Sequence, residues 1–186
     1  MKIICFGDSN TYGYDPRGYF GGRYDNPWPE ILAEKLCCTV LNWGENGREI
    51  LVQEEIQEHF NMMLANQSPV DLLVVMLGSN DLLQGNQVSD VVERMEFFLN
   101  PVDLDASKIL LIGPPPMHLG EWVPDENLIH ASNELNKGYK ALAESFDIRF
   151  ADAGQWNLPL AYDGVHLTEE GHKLFAENLY KELIVP

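Results

Sequence analysis

At 186 residues, with 45% hydrophobic and 22% charged side chains, the chain is long enough for one well-buried domain and too apolar to be disordered. Lys and Arg number 12 against 29 Asp and Glu, a formal net charge of −17 with no basic run, which argues against nucleic acid and anionic membrane as partners. Cys5, Cys37 and Cys38 form no C-x-x-C pair and no even set, so reduced thiols are expected, without a disulfide framework, a zinc site or any other metal.

In chain order, residues 3–6 form a short apolar run that ends too soon for a signal peptide or a membrane span, so the cytoplasm is the expected compartment. Similar runs at 39–42, 70–77, 109–112 and 148–151 are rich in Ile, Val, Leu or Phe and too short for free-standing helices; each reads as a buried strand. Helical periodicity lies between and after them. Residues 50–64 form one such segment, and Val88, Val91, Val92, Met95, Phe98 and Leu99 form another that Asn100-Pro101 stops. Ile129, Leu135, Tyr139, Leu142 and Phe146 repeat the pattern, and 168–183 continues it at the end. Strands alternating with helices predict one α/β domain over residues 1–186, with a parallel sheet covered on both faces. Right-handed crossovers then put active loops at the carboxyl ends of the strands. The loops at 11–26 and 114–127 are long enough to build a substrate site there.

Four strand ends carry chemistry-bearing residues. Gly7-Asp8-Ser9-Asn10 follows the first strand and presents a hydroxyl on a tight turn, although Gly-Asp-Ser by itself is a common turn sequence. A serine nucleophile needs a base, a group that orients the base, and donors for an oxyanion. Asp163-Gly164-Val165-His166 after the fifth strand can supply the first two, since a carboxylate three residues from an imidazole can hold its tautomer. Asn42-Trp43-Gly44-Glu45-Asn46-Gly47 after the second strand and Gly78-Ser79-Asn80-Asp81 after the third can supply backbone and amide donors. There is no G-x-S-x-G elbow, no P-loop, no G-x-G-x-x-G cradle, and no metal spacing among His59, His118, His130 and His172. His172 reads as a surface or partly buried helix residue. Tyr12, Tyr14, Tyr19 and Phe20 either line a pocket or pack the loop, and Trp122 and Trp156 are equally open.

These four blocks, in this order, resemble the SGNH/GDSL hydrolases over nearly the whole chain, and the stretch from Phe6 to Tyr14 resembles the arylesterase-like branch. The resemblance implies a flavodoxin-like three-layer α/β/α sandwich with five parallel strands, and hydrolysis of carboxylic esters without a cofactor. It implies Ser9 as nucleophile, His166 as general base and Asp163 as its partner, with Ser9 N–H, Gly44 N–H and the Asn80 amide as the oxyanion hole. Asn10 stands where the family usually has Leu; beside Ser9 its polar side chain is expected to touch substrate, as are Tyr12 and Tyr14. The expected partner is a small ester, either a short-chain acyl or aryl ester or an acetylated sugar, and lysophospholipid hydrolysis also fits. Acyl transfer at the same site and a non-catalytic flavodoxin-like binding module are the competing readings, and nothing in the sequence decides an oligomeric state.

Overall fold

The computed structural model describes residues 1–18 and 20–184. Along the chain the elements are β1 (Lys2–Gly7), α1 (Ser9–Tyr12), β2 (Tyr14–Asp15), β3 (Gly22–Arg23), α2 (Trp28–Leu36), β4 (Thr39–Gly44), α3 (Glu54–Asn66), β5 (Leu72–Met76), α4 (Ser79–Leu83), α5 (Val88–Leu99), β6 (Ile109–Gly113), α6 (Glu126–Phe146), β7 (Arg149–Asp152) and α7 (Glu169–Ile184). Five strands pair in parallel in the order β4-β1-β5-β6-β7. This is the doubly wound order in which the chain reverses direction across β1, and a crevice opens at the carboxyl ends of the strands there.

Alternation along each strand feeds two cores. Ile4 and Phe6 of β1, with Leu73 and Val75 of β5, pack under α3, α5 and α6 against Phe60, Met95, Phe98, Leu135 and Tyr139. Their neighbours Ile3, Cys5, Leu72, Val74 and Met76 face the other way, onto Trp28 and Leu32 of α2 and Phe175 and Leu179 of α7. Because both faces are covered, the strands β5 and β6 are apolar throughout rather than alternating with polar residues. The result is a three-layer α/β/α sandwich.

Side chains also tie down the strand ends that frame the crevice. The Tyr139 hydroxyl donates to Leu77 O at 3.1 Å, beyond β5. Asn136 donates to Pro114 O at 3.0 Å and to Asp152 Oδ1 at 2.7 Å, joining the ends of β6 and β7.

All five expected strands are present. The segment expected to be helical from residue 50 becomes so only at Glu54, because the buried Asp81 carboxylate accepts the Ile50 N–H at 3.2 Å and holds those residues extended. Helix α2 was not anticipated: it starts behind Pro27 with Pro29 in its first turn, where a missing N–H costs nothing, and buries Trp28 and Leu32. The 11–26 loop contains the small antiparallel β2–β3 hairpin, Tyr14 opposite Arg23 and Asp15 opposite Gly22.

Candidate active site

Parallel register sets Gly7 of β1 beside Gly44 of β4 and Met76 of β5. Immediately beyond Gly7 the chain turns into the four-residue α1. Asp8 caps that turn by accepting Asn10 N–H at 2.9 Å, and Ser9 is its first residue. Its N–H therefore has no intrahelical partner. The turn fits against β4 only because residue 44 is glycine: a Cβ there would lie 2.1 Å from Tyr12 N.

The loop after β7 brings Asp163 and His166 to this turn. Asp163 Oδ1 accepts the N–H groups of Val165 at 2.9 Å and His166 at 3.0 Å, and Oδ2 lies 2.7 Å from His166 Nδ1. His166 Nε2 is 2.9 Å from Ser9 Oγ across 157 residues of sequence. All three side chains are buried, with Ser9 the most open at 7%. Burial pushes the Asp163 carboxyl up, but the bonds from the His166 ring and the two backbone N–H groups outweigh it and hold it below the usual carboxylate range. An ionised Asp163 keeps the ring proton on Nδ1 and leaves the Nε2 lone pair facing the hydroxyl, the geometry in which an imidazole can accept a serine proton.

The expected oxyanion donors fare differently. The Asn80 amide, on α4 beyond β5, donates to Arg48 O at 3.0 Å and so lies against the loop that follows β4. Gly44 N–H, by contrast, donates to Asn42 Oδ1 at 2.9 Å within its own strand and is already engaged. Asn42 also donates to Thr11 O at 2.9 Å, fastening β4 to the serine turn. Arg48 secures the floor of the site. Its guanidinium donates to Gly7 O at 2.7 Å, to Trp43 O and to Glu45, and rests 4.4 Å from the Phe6 ring centroid. Asp81, fully buried, pairs with Arg94 at 3.0 Å. The sequence offered no signal for Asn42 or Arg48 beyond their nearness to the glycine turn.

Two loops bracket the imidazole with aromatic rings. Tyr14 lies with its centroid 4.7 Å from His166, and Trp122 approaches edge-on at 5.0 Å. Trp122 is held there by a tight turn bridging Gly120 and Val123, whose backbone zips onto the Asp163 loop. His118 N–H donates to Gly164 O at 2.9 Å, Glu121 N–H to Tyr162 O at 3.2 Å and Trp122 N–H to Asp163 O at 3.0 Å. The Tyr162 hydroxyl in turn donates to Pro16 O at 2.9 Å, latching the 11–26 loop.

Of the other aromatic residues, Tyr12 lies under the Arg23 guanidinium, Trp156 packs on Phe175 and Phe20 is 95% exposed; Tyr19 lies outside the described residues. Two expectations need correction. Asn10 is 3% exposed, and both ends of its amide bond to backbone beside His166, so it is not a substrate contact. His172 is not a surface residue: it is completely buried against Tyr24, and burial depresses its imidazole to about 3, keeping it neutral.

No group of three potential metal ligands occurs among the described residues, and none of their helices is long and apolar enough to cross a membrane. No curated protein matches the sequence. The family model of the GDSL-like lipase/acylhydrolase family matches residues 5–174. Among solved structures, the aryl esterase of M. smegmatis is 27% identical with a TM-score of 0.82, over 98% of this chain and 97% of that one. A carbohydrate acetylesterase family member from Sinorhizobium meliloti is also 27% identical, with a TM-score of 0.81 over 98% and 96% of the two chains. A buried Ser-His-Asp relay at the carboxyl end of the sheet, in a sandwich that matches these esterases along its length, leads to one conclusion: the chain belongs to the GDSL-like lipase/acylhydrolase family and is a carboxylic ester hydrolase.

Proposed function

We propose that the enzyme hydrolyses small carboxylic esters, aryl esters or acetylated sugars among them, through an acyl-serine intermediate on Ser9. The observation that carries this reading is the continuous chain Ser9 Oγ–His166 Nε2–Asp163, with separations of 2.9 and 2.7 Å. As Ser9 Oγ bonds to the ester carbonyl carbon, its proton passes to His166 Nε2, and Asp163 stabilises the imidazolium. The carbonyl oxygen becomes an oxyanion facing Ser9 N–H and the Asn80 amide, whose hydrogen bonds strengthen as charge develops. Gly44 N–H joins them only if Asn42 releases it. Collapse of this intermediate breaks the ester C–O bond, and the alcohol leaves with the His166 proton. Water then gives a proton to His166 and attacks the acyl carbon, and the returning proton frees Ser9 and the acid.

The aryl esterase and carbohydrate acetylesterase likenesses support a compact alcohol or sugar on the leaving-group side. Tyr14 and Trp122, the rings flanking His166, offer flat surfaces for such a group.

A fluorophosphonate probe tests the nucleophile. The parent protein should be labelled on Ser9, and Ser9→Ala should abolish labelling and reduce ester turnover by several orders of magnitude, ~10⁶ by analogy with serine proteases. Labelling that persists in Ser9→Ala would overturn the assignment.

A further inference from the structure

The residue after the nucleophile has no chemistry to offer a substrate, yet its side chain spans the site. Asn10 Oδ1 accepts Leu167 N–H at 2.8 Å, and its Nδ2 donates to Val165 O at 3.1 Å. These two backbone groups lie on either side of His166. A side-chain amide has one acceptor and one donor side, as a peptide unit does, and here it meets the histidine loop as an adjacent strand would. Its backbone is fixed as well, since Asn10 N–H donates to Asp8 Oδ1 at 2.9 Å.

We infer that Asn10 is a positioning residue, which sets the distance between His166 and Ser9 by clamping the histidine loop to the serine turn. The inference rests on the hydrolytic reading of that pair. The hydrogen bonds of the His166 backbone come from within its own loop. Its N–H donates to Asp163 Oδ1 at 3.0 Å, and its carbonyl accepts Ala161 N–H at 2.7 Å. Those bonds shape the loop but do not fix its place relative to Ser9. The Asn10 amide does, because it starts one residue from the nucleophile and ends on both neighbours of the base.

A leucine here would fill similar volume but leave Val165 O and Leu167 N–H without partners, in residues that are 5% and 0% exposed. Buried backbone groups do not stay unpaired, so the loop has to shift to find others. Displacing a catalytic group by about 1 Å costs ~10²-fold in rate.

The test compares Asn10→Leu with Asn136→Leu. Asn136 is likewise buried, at 5% exposed, and likewise bridges two segments, from Pro114 O to Asp152 Oδ1 at the ends of β6 and β7, but its amide bonds to neither the serine turn nor the histidine loop. Both variants should lose stability. Only Asn10→Leu should lower kcat, about 10²-fold with KM changed by less than about two-fold, because the amide acts on the reacting pair and not on bound substrate. Proton NMR gives a readout independent of turnover: the low-field resonance of the His166 Nδ1 proton, hydrogen-bonded to Asp163, should shift or broaden in Asn10→Leu and stay in place in Asn136→Leu.

Parental kcat in Asn10→Leu with the resonance unmoved would overturn the inference, and so would a change confined to KM. Equal losses of kcat in both variants would reduce Asn10 to a structural role. If Asn10→Leu does not fold, Asn10→Asp answers the same questions: it still accepts from Leu167 N–H but sets a second oxygen against the Val165 carbonyl. A parent protein without esterase turnover would count against the hydrolytic reading alone, and the resonance would still decide whether Asn10 positions His166.

Discussion

Asp8 and Asp163 lie on either side of Ser9 and His166, both nearly inaccessible to water, and their surroundings push them in opposite directions. Asp163 ends below the usual carboxylate range because three N–H groups point at it. Asp8 is raised to about 6, mainly by burial; the Asn10 N–H and the charges of His166 and Arg48 offset only part of that cost, and Asp81 adds to it. A carboxyl raised on folding holds its proton between its unfolded value of 3.8 and about 6, where the unfolded chain has already lost it. Stability therefore falls as pH rises through that window, and the cost is complete above pH 6, at roughly 3 kcal/mol. Asp8→Asn keeps the acceptor for Asn10 N–H and removes the charge. In urea melts it should exceed the parent in stability by up to that amount at pH 7.5 and match it near pH 4. Under the proposed mechanism it should also lower kcat, because the Asp8 charge acts on the imidazole that would become cationic as Ser9 gives up its proton. A stability difference that does not change with pH would show that Asp8 is not ionised at a cost in the folded protein.

At the scale of elements, the turn at 118–123 carries Trp122 and grips the Asp163–His166 loop, and its fit depends on Gly120. A Cβ at that position would lie 2.4 Å from Asp163 C and from Gly164 N, both backbone atoms that cannot swing aside. Gly120→Ala should therefore lift the turn off the loop, lowering stability by about 1–3 kcal/mol and reducing kcat. Leu119→Ala on the same turn, at a side chain 61% exposed, should change neither. Thermal melts and initial rates on both variants check this, and a Gly120→Ala enzyme with parental melting and turnover would contradict it. This grip could not be read from the sequence, because it consists of backbone hydrogen bonds between segments about 40 residues apart. The strands were legible for the opposite reason: a sheet covered on both faces leaves long apolar runs such as residues 70–77. Helix α2 escaped notice because Pro27 and Pro29 read as loop residues, although both sit where a helix tolerates proline. Ser9, Asp163 and His166 stood out in the sequence only through the four blocks that resemble the SGNH/GDSL hydrolases, since each strand-end turn alone is a common loop sequence. Asn10 looked like a substrate contact because its partners, Val165 and Leu167, lie far away in sequence.

For the molecule as a whole, the proposed preference for small esters follows from the economy of the fold. Five strands and the helices that cover them take up most of the 186 residues, and the site is walled mainly by the two loops at 11–26 and 114–127. Among the described residues, neither loop forms a lid of apolar helix. The first is folded back as the β2–β3 hairpin and latched by Tyr162 to Pro16; the second is zipped along the Asp163 loop. Pro114, Pro115 and Pro116 stiffen its start by fixing φ. Loops tied down in this way have little freedom to open a longer channel. Beside His166 they offer the rings of Tyr14 and Trp122, enough to remove a few methylenes from water at about 0.8 kcal/mol each. Each further methylene then lies in solvent, adding no binding free energy while losing conformational freedom. Across p-nitrophenyl esters, kcat/KM should peak between acetyl and butyryl and decline by octanoyl. The net charge of −17 bears on the same panel: an ester carrying a carboxylate should react more slowly than its neutral counterpart, with the gap narrowing as salt screens the repulsion. A profile climbing steadily to dodecanoyl in monomeric substrate solutions would contradict the short-chain reading, and would mean that one of the two latched loops opens during turnover.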